Sequence, residues 1–266
     1  MSFLFCSFVR CNMKNAKVKN TIMEYTMQVY LKNFGLIILA SIPGLFGLAM
    51  PLLVGMPSYV SLGGVYLRTA SIVDLDNVAI VAMSASVLVC VYLMSFAIVA
   101  INMVIKRQRT MKRLSMDDLR SIAQWTNSVF VAYISAMILF LLVQIYTYDN
   151  QWQSVIVPLV NIIIGFGLLF FPTAMIMDEI RSFRALQRSI GMVFAKPVLI
   201  LQWLIISLIL LSVVDVVSLT IVDFLPFIPR IIGQWAVMAF NSLIILPFLI
   251  VLLAQIYINK YTILVY

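Results

Sequence analysis

Residues 78–113 read VAIVAMSASVLVCVYLMSFAIVAINMVIKRQRTMKR. Twenty-eight residues, Val78 to Ile105, carry no charge, and the next eight contain Lys106, Arg107, Arg109, Lys112 and Arg113. At 1.5 Å per residue the apolar part exceeds the ~30 Å hydrocarbon core of a bilayer, so it is long enough to cross with some tilt. The abrupt change to lysine and arginine marks where such a helix leaves the membrane.

Five further runs have the same character. With this one they lie at about 34–54, 78–105, 122–146, 155–177, 197–222 and 231–258. The first contains Pro43, Gly44, Gly47 and Pro51 and is expected to be kinked. None alternates as a membrane β-strand would, and a lipid-embedded chain satisfies its backbone most simply as helix. Hydrophobic residues make up 64% of the chain, charged residues 11%, and mean hydropathy is +1.09. A soluble domain cannot bury that much apolar surface. The fold class expected is all-α: a polytopic bundle of six transmembrane helices with amphipathic interfacial elbow helices. Residues 1–20 form an N-terminal cytoplasmic tail and 21–266 a single transmembrane domain. Met1–Phe8 is too short to span and lacks a signal-peptide cleavage site. Met13-Lys14 opens a more usual basic lead-in, so translation from Met13, without residues 1–12, is an alternative start.

The loops decide orientation. Five basic residues (Arg10, Lys14, Lys17, Lys19, Lys32) precede the first run, six (the five above and Arg120) follow the second, and four (Arg181, Arg184, Arg188, Lys196) follow the fourth. With Lys260 in the tail, sixteen of the eighteen lie on one side; only Arg68 and Arg230 lie on the other. Lysine and arginine resist translocation, which predicts a multi-pass cell-membrane protein with both termini cytoplasmic. Trp125, Tyr146, Tyr148, Trp152, Trp235 and Tyr257 fall near span ends, where aromatic rings favour the interface. The net charge of +8 is therefore assigned to topology and anionic headgroups, not to nucleic acid. Lys106, Arg107, Arg109, Lys112, Arg113, Arg181, Arg184 and Arg188 are the basic residues expected to face lipid or a partner. Ser115, ahead of Asp117 and Asp118, is placed to cap a short helix.

Ile180–Phe194 has apolar Ile180, Phe183, Leu186, Ile190 and Val193 beside Arg181, Arg184 and Arg188. Thr21–Lys32 has Ile22, Tyr25, Val29 and Tyr30 beside Gln28 and Lys32. Each reads either as an interfacial helix or as an extension of the neighbouring span; Pro197 favours a break after Lys196. Tyr30–Phe34 and Phe194–Val198 also sit at corresponding points of a weak parallel repeat. The amphipathic segment, Lys196, a long span, Pro226-Phe-Ile-Pro229-Arg230-Ile-Ile-Gly233 and a last span ending Gln255-Ile-Tyr257 together resemble the six-helix membrane domain accompanying some bacterial glycerophosphodiester phosphodiesterases, and related stand-alone bacterial and archaeal membrane proteins. The resemblance covers mainly residues 180–260. It implies a six-helix fold and no catalytic residues, since the catalytic domain of those enzymes is separate.

Chemistry-bearing residues are few. Histidine is absent, and the three cysteines, Cys6, Cys11 and Cys90, form no CxxC pattern. No metal site, cofactor or enzymatic activity is expected. Asp215 is the one acidic residue inside a span, with Ser212 and Ser218 three positions to either side on nearly the same helix face. With Gln144, Asn161 and Asn241 (and Ser84 and Ser86) it lines an outward polar cavity in one reading; in the other, the amides are interhelical packing bonds. Ala40 with Gly44, and Gly165 with Gly167, are candidate close-packing positions. The function expected is a non-enzymatic subunit, assembly factor or scaffold of a membrane complex, or a homo-oligomer. The alternative is a transporter or permease subunit, of the ATP-binding-cassette exporter type, with the second cytoplasmic loop as coupling element.

Overall fold

The computed structural model describes residues 22–53, 58–61, 64–67, 77–110, 116–148, 150–224 and 230–262. The readings on residues 1–21, on Lys112, Arg113 and Ser115, and on the Arg109 side chain lie outside the described residues.

In chain order, α1 is Ile22–Lys32, α2 Phe34–Leu53, β1 Ser58–Ser61, β2 Gly64–Leu67, α3 Asn77–Thr110, α4 Met116–Tyr146, α5 Gln153–Leu169, α6 Phe171–Asp178, α7 Ser182–Ala195, α8 Pro197–Phe224, α9 Arg230–Phe240 and α10 Leu246–Thr262. A π-helical turn, Asn241–Ile245, joins α9 to α10. Among the described residues six segments are long and apolar enough to cross a membrane: Phe34–Pro51, Ile80–Gln108, Arg120–Tyr146, Gln153–Asp178, Pro197–Ser218 and Trp235–Asn259. The protein is all-α and polytopic. The antiparallel hairpin β1–β2, pairing Ser58 with Leu67 and Ser61 with Gly64, interrupts what the sequence presents as a plain loop.

Several expectations are corrected. Lys106 and Arg107 lie on α3 itself, not in a loop: the 34-residue helix is about 51 Å long and runs past the end of the apolar stretch. Asp117 and Asp118 begin no separate short helix, because α4 continues unbroken from Met116 into span three. Span four is broken at Phe170, between α5 and α6. Pro172 explains the break, since it has no N–H for the preceding turn and its ring crowds that turn's carbonyl. Span six widens to π geometry just before Pro247, for the same reason.

The elbows are separate helices. Asn33 alone divides α1 from α2, and Lys196 alone divides α7 from α8. α7 docks on the bundle through a narrow face. Ala185, Ser189 and Met192 are buried, whereas Phe183 and Ile190 are exposed. The small side chains at 185 and 189 let α7 approach the α5–α6 break closely; Leu186 and Val193 pack half-buried beside it, and Phe183 and Ile190 point outward.

The tightest contact is α2 on α3. A methyl group on Gly47 would stand 3.0 Å from the Cys90 carbonyl oxygen and 3.1 Å from Leu93 Cβ; one on Gly44 would stand 3.1 Å from Ala97 Cβ. The close-packed pair is thus Gly44 and Gly47, with Ala40 buried beside them. Gly165 faces open space, contrary to expectation, and Gly167 meets only Ile190 and Leu186 at 4.0 Å.

The core is concentrated toward the end of the bundle that carries the lysines and arginines. One cluster joins Met103, Ile122, Phe171, Met175, Met192, Leu252 and Tyr257. A second joins Val29, Tyr30, Ile37, Ile101, Phe248 and Val251. Toward the other end, among the described residues, a small buried group is formed by Leu48, Ala49 and Met238. Gly47→Val should lower the thermal midpoint in detergent, by overpacking worth about 1–3 kcal/mol. Gly165→Ala should leave it unchanged or slightly higher. Equal effects of the two would contradict this packing.

Candidate functional site

The two helix breaks lie on either side of a cleft of about 430 Å³ between α3, α4, α5–α6, α8 and α10. Asn102 and Thr173 form its polar floor. Asn102 Nδ2 donates to the Ile98 carbonyl at 2.9 Å, and Thr173 Oγ1 donates to Asn102 Oδ1 at 3.1 Å. Both residues are buried. Thr173 occupies this place because Pro172 starts α6 there. Across the cleft, Trp203 Nε1 donates to the Leu249 carbonyl at 3.2 Å and Ser207 Oγ to the Trp203 carbonyl at 2.6 Å. The half-buried Tyr133 completes the polar lining.

Of the residues singled out from sequence, two come together. Asn241 Nδ2 donates to Asp215 Oδ1 at 2.6 Å, with Asp215 5% and Asn241 1% exposed. The bond joins span five to the π-helical turn of span six. The Asn241 Oδ1 atom is buried without a hydrogen-bond partner among the described residues. Ser212 and Ser218 flank Asp215, half-buried. Gln144, half-buried on α4, and Asn161, exposed on α5, make no hydrogen bond to this pair. Ser84 is exposed, and Ser86 is buried and bonded to the Met83 carbonyl of its own helix. Of the two readings, these residues do not come together as one polar cavity: Asp215 and Asn241 bond to each other across two spans, and the cleft is lined by other residues.

The basic residues divide in two. Arg181 and Arg184 are exposed, as a headgroup-facing role requires, and Arg107 is half-buried. Lys106, half-buried, and Arg188, exposed, are both engaged by groups of the bundle itself. The Lys106 ammonium donates to the Ile176 carbonyl at 2.6 Å and to Glu179 Oε1 at 2.7 Å. It thereby caps a carbonyl left open by the end of α6. Arg188 pairs with Asp178, which also accepts the Tyr257 hydroxyl at 2.5 Å. Asn33 donates to Gln108 Oε1 at 2.6 Å. These contacts tie α2, α3, α6, α7 and α10 together at the basic end. Glu179 holds the left-handed backbone, φ 51°, that stops α6. The hydrogen bond and charge of Lys106, with a smaller contribution from Arg107, hold its carboxyl below the usual glutamate range against a small opposing effect of burial. Cys90 is half-buried against α2 as a free thiol; among the described residues no His/Cys/Asp/Glu group suits a metal ion.

No protein-family model matches the chain, and no curated protein or solved structure matches it.

Two outcomes test these contacts. Asp215→Leu leaves a buried amide unpaired and should cost about 1–3 kcal/mol in thermal unfolding. Asp215→Asn preserves an acceptor for Asn241 and should be nearly neutral. Comparable losses in both would mean that the charge itself is essential. For Glu179 the folded pKa is lowered, so its contribution is complete above the ordinary glutamate pKa and is lost as pH falls through the lowered value. The melting difference between the native protein and Glu179→Gln should be small and constant near neutrality and should vanish in acid. A difference that grows in acid would contradict the pairing.

Proposed function

We propose that this integral membrane protein is a non-enzymatic subunit, scaffold or assembly factor of a larger membrane complex, set in the cell membrane with its basic end and both termini in the cytoplasm. One observation carries the reading. Fully buried residues make up 39%, 50% and 61% of the most apolar stretch of the first, second and sixth spans, but only 6%, 11% and 11% of that of the third, fourth and fifth. Apart from α6, whose residues Phe171–Ile176 are buried, these three spans are exposed or half-buried along most of their length, and their exposed side chains form a broad outward surface. Asn161 stands on that surface, exposed, two turns inside span four among exposed Leu159, Ile162 and Ile163. An amide facing hydrocarbon is unfavourable, and a hydrogen bond to another transmembrane helix relieves it. The partner is a second copy of the chain or a different membrane subunit. The resemblance over residues 180–260 fits the same role, because those membrane domains accompany a separate catalytic domain. The charge asymmetry of the loops supports the orientation, and exposed Arg181 and Arg184 support contact with anionic headgroups.

A transporter or permease subunit is the second reading. It is favoured by the cleft lying between two interrupted spans, since discontinuous helices line the sites of many carriers.

Gently solubilised protein, analysed by native mass spectrometry, should carry stoichiometric partner subunits or a second copy. Asn161→Leu should reduce that fraction several-fold, and a reporter that matures only in the cytoplasm should be active at the C-terminus. A monomer in every mild detergent, with substrate-specific flux in liposomes, would replace the subunit reading with the carrier. An inactive reporter would reverse the orientation.

A further inference from the structure

We propose that the cleft between α3, α4, α5–α6, α8 and α10 binds a neutral amphiphile: an uncharged lipid with a long apolar body and a single hydrogen-bonding group. The inference goes beyond the subunit reading and does not depend on it. A volume of about 430 Å³ lies within the range of sites for small molecules. The lining is mostly leucine, isoleucine and methionine, and none of its sixteen residues is charged. A carboxylate or phosphate would enter without a counterion, and a buried unpaired charge is strongly disfavoured.

The polar groups narrow the class further. The hydrogens of Ser207, Trp203 and Thr173 are occupied by the Trp203 carbonyl, the Leu249 carbonyl and Asn102. The Tyr133 hydroxyl has no hydrogen-bond partner among the described residues. It offers one donor and acceptor in otherwise apolar walls, and Thr173 Oγ1 keeps lone pairs that can accept. An alkane tail alone would leave the Tyr133 hydroxyl unsatisfied. An alcohol, or a neutral lipid with one such group, satisfies it. The apolar groove of about 550 Å³ between α5, α7 and α8 differs in this respect: Phe166, Val193, Phe194 and Leu201 line it with hydrocarbon, which suits any acyl chain.

Trp203 lines the cleft and serves as the reporter. The native protein in phosphatidylcholine nanodiscs would be titrated with a brominated long-chain alcohol and, separately, with the matching brominated fatty acid at alkaline pH. The alcohol should quench fluorescence saturably, at least ten-fold more tightly than the acid, and Trp203→Phe should remove the saturable part. Tyr133→Phe, which preserves the ring packing, should weaken the alcohol several-fold; Ser207→Leu, which fills the cleft, should abolish it. Linear quenching indistinguishable from partition into bulk lipid would overturn the proposal. Equal affinity for alcohol and acid, or binding unchanged in both Tyr133→Phe and Ser207→Leu, would do the same.

Discussion

A backbone polar group without a partner is far less tolerable in hydrocarbon than in water, and the fold answers to that constraint wherever a span is interrupted. At the break in span four, Ser189 of α7 accepts the Phe170 N–H at 3.1 Å. At the end of the same span, Lys106 of α3 caps the Ile176 carbonyl. In the widened turn of span six, Tyr30 of α1 donates to the Ile244 carbonyl at 3.0 Å, its ring held edge-on by Phe34 and Phe248. Each bond satisfies the backbone of one element with a side chain of another, so the interruptions become the joints of the bundle. Both elbow helices take part, α1 through Tyr30 and α7 through Ser189. Beside these bonds each elbow also packs part of its apolar stripe on the core, Val29 from α1 and Leu186 and Val193 from α7.

The joints are unevenly distributed. Lys106, Glu179, Asp178, Arg188, Tyr257, Asn33 and Gln108 close the basic end, and the larger core clusters lie against them. Toward the other end the bundle is held by Gly44 and Gly47 on α3 and by the Asp215–Asn241 bond. Spans three, four and five carry few fully buried residues along their most apolar stretches, and the cleft and a wide apolar exterior lie along them. A helical bundle clamped at one end and open along its length is suited to accept something between its helices or against them. The cleft and the exterior surface are two expressions of the same asymmetry.

The number and position of the spans are legible in the sequence because hydropathy over about 20 residues is a one-dimensional property. The chemistry of the interior is not, because it depends on how each helix is rotated. Asp215 and Asn241 announce themselves as polar residues inside apolar runs, and they do meet. Gln144 and Asn161 give the same signal and point elsewhere, with nothing local to separate the cases. Ser212 and Ser218 share the Asp215 face by spacing alone. Asn102 and Thr173 carry a readable signal in retrospect: an amide within the last turn of an apolar run, and a threonine directly after a proline in mid-span. Tyr133 carries none, since a mid-span tyrosine reads as packing. The breaks at Pro172 and Pro247 are predictable in kind, but their partners are not, because Ser189 and Tyr30 are separated from them by 19 and 214 positions.

Lys106 and Arg188 show that a topogenic charge and a structural charge need not be different residues. During insertion a lysine or arginine at a span end favours retention on one side whatever its later contacts. After folding, Lys106 and Arg188 stand beside two carboxylates at that end of span four, Glu179 and Asp178. In each pair one partner stays well hydrated, Glu179 at 70% and Arg188 at 47% exposed, while Lys106 and Asp178 are largely covered, so the desolvation that makes fully buried ion pairs unfavourable is only partial. Two charges are thus partly neutralised, while the exposed Arg184 and Arg181, one and two turns before Arg188, have no ion pair among the described residues. A count of basic residues locates the end of the bundle correctly but overstates the charge available to a lipid or a partner. The difference lies in two acidic residues that a tally of lysines and arginines passes over.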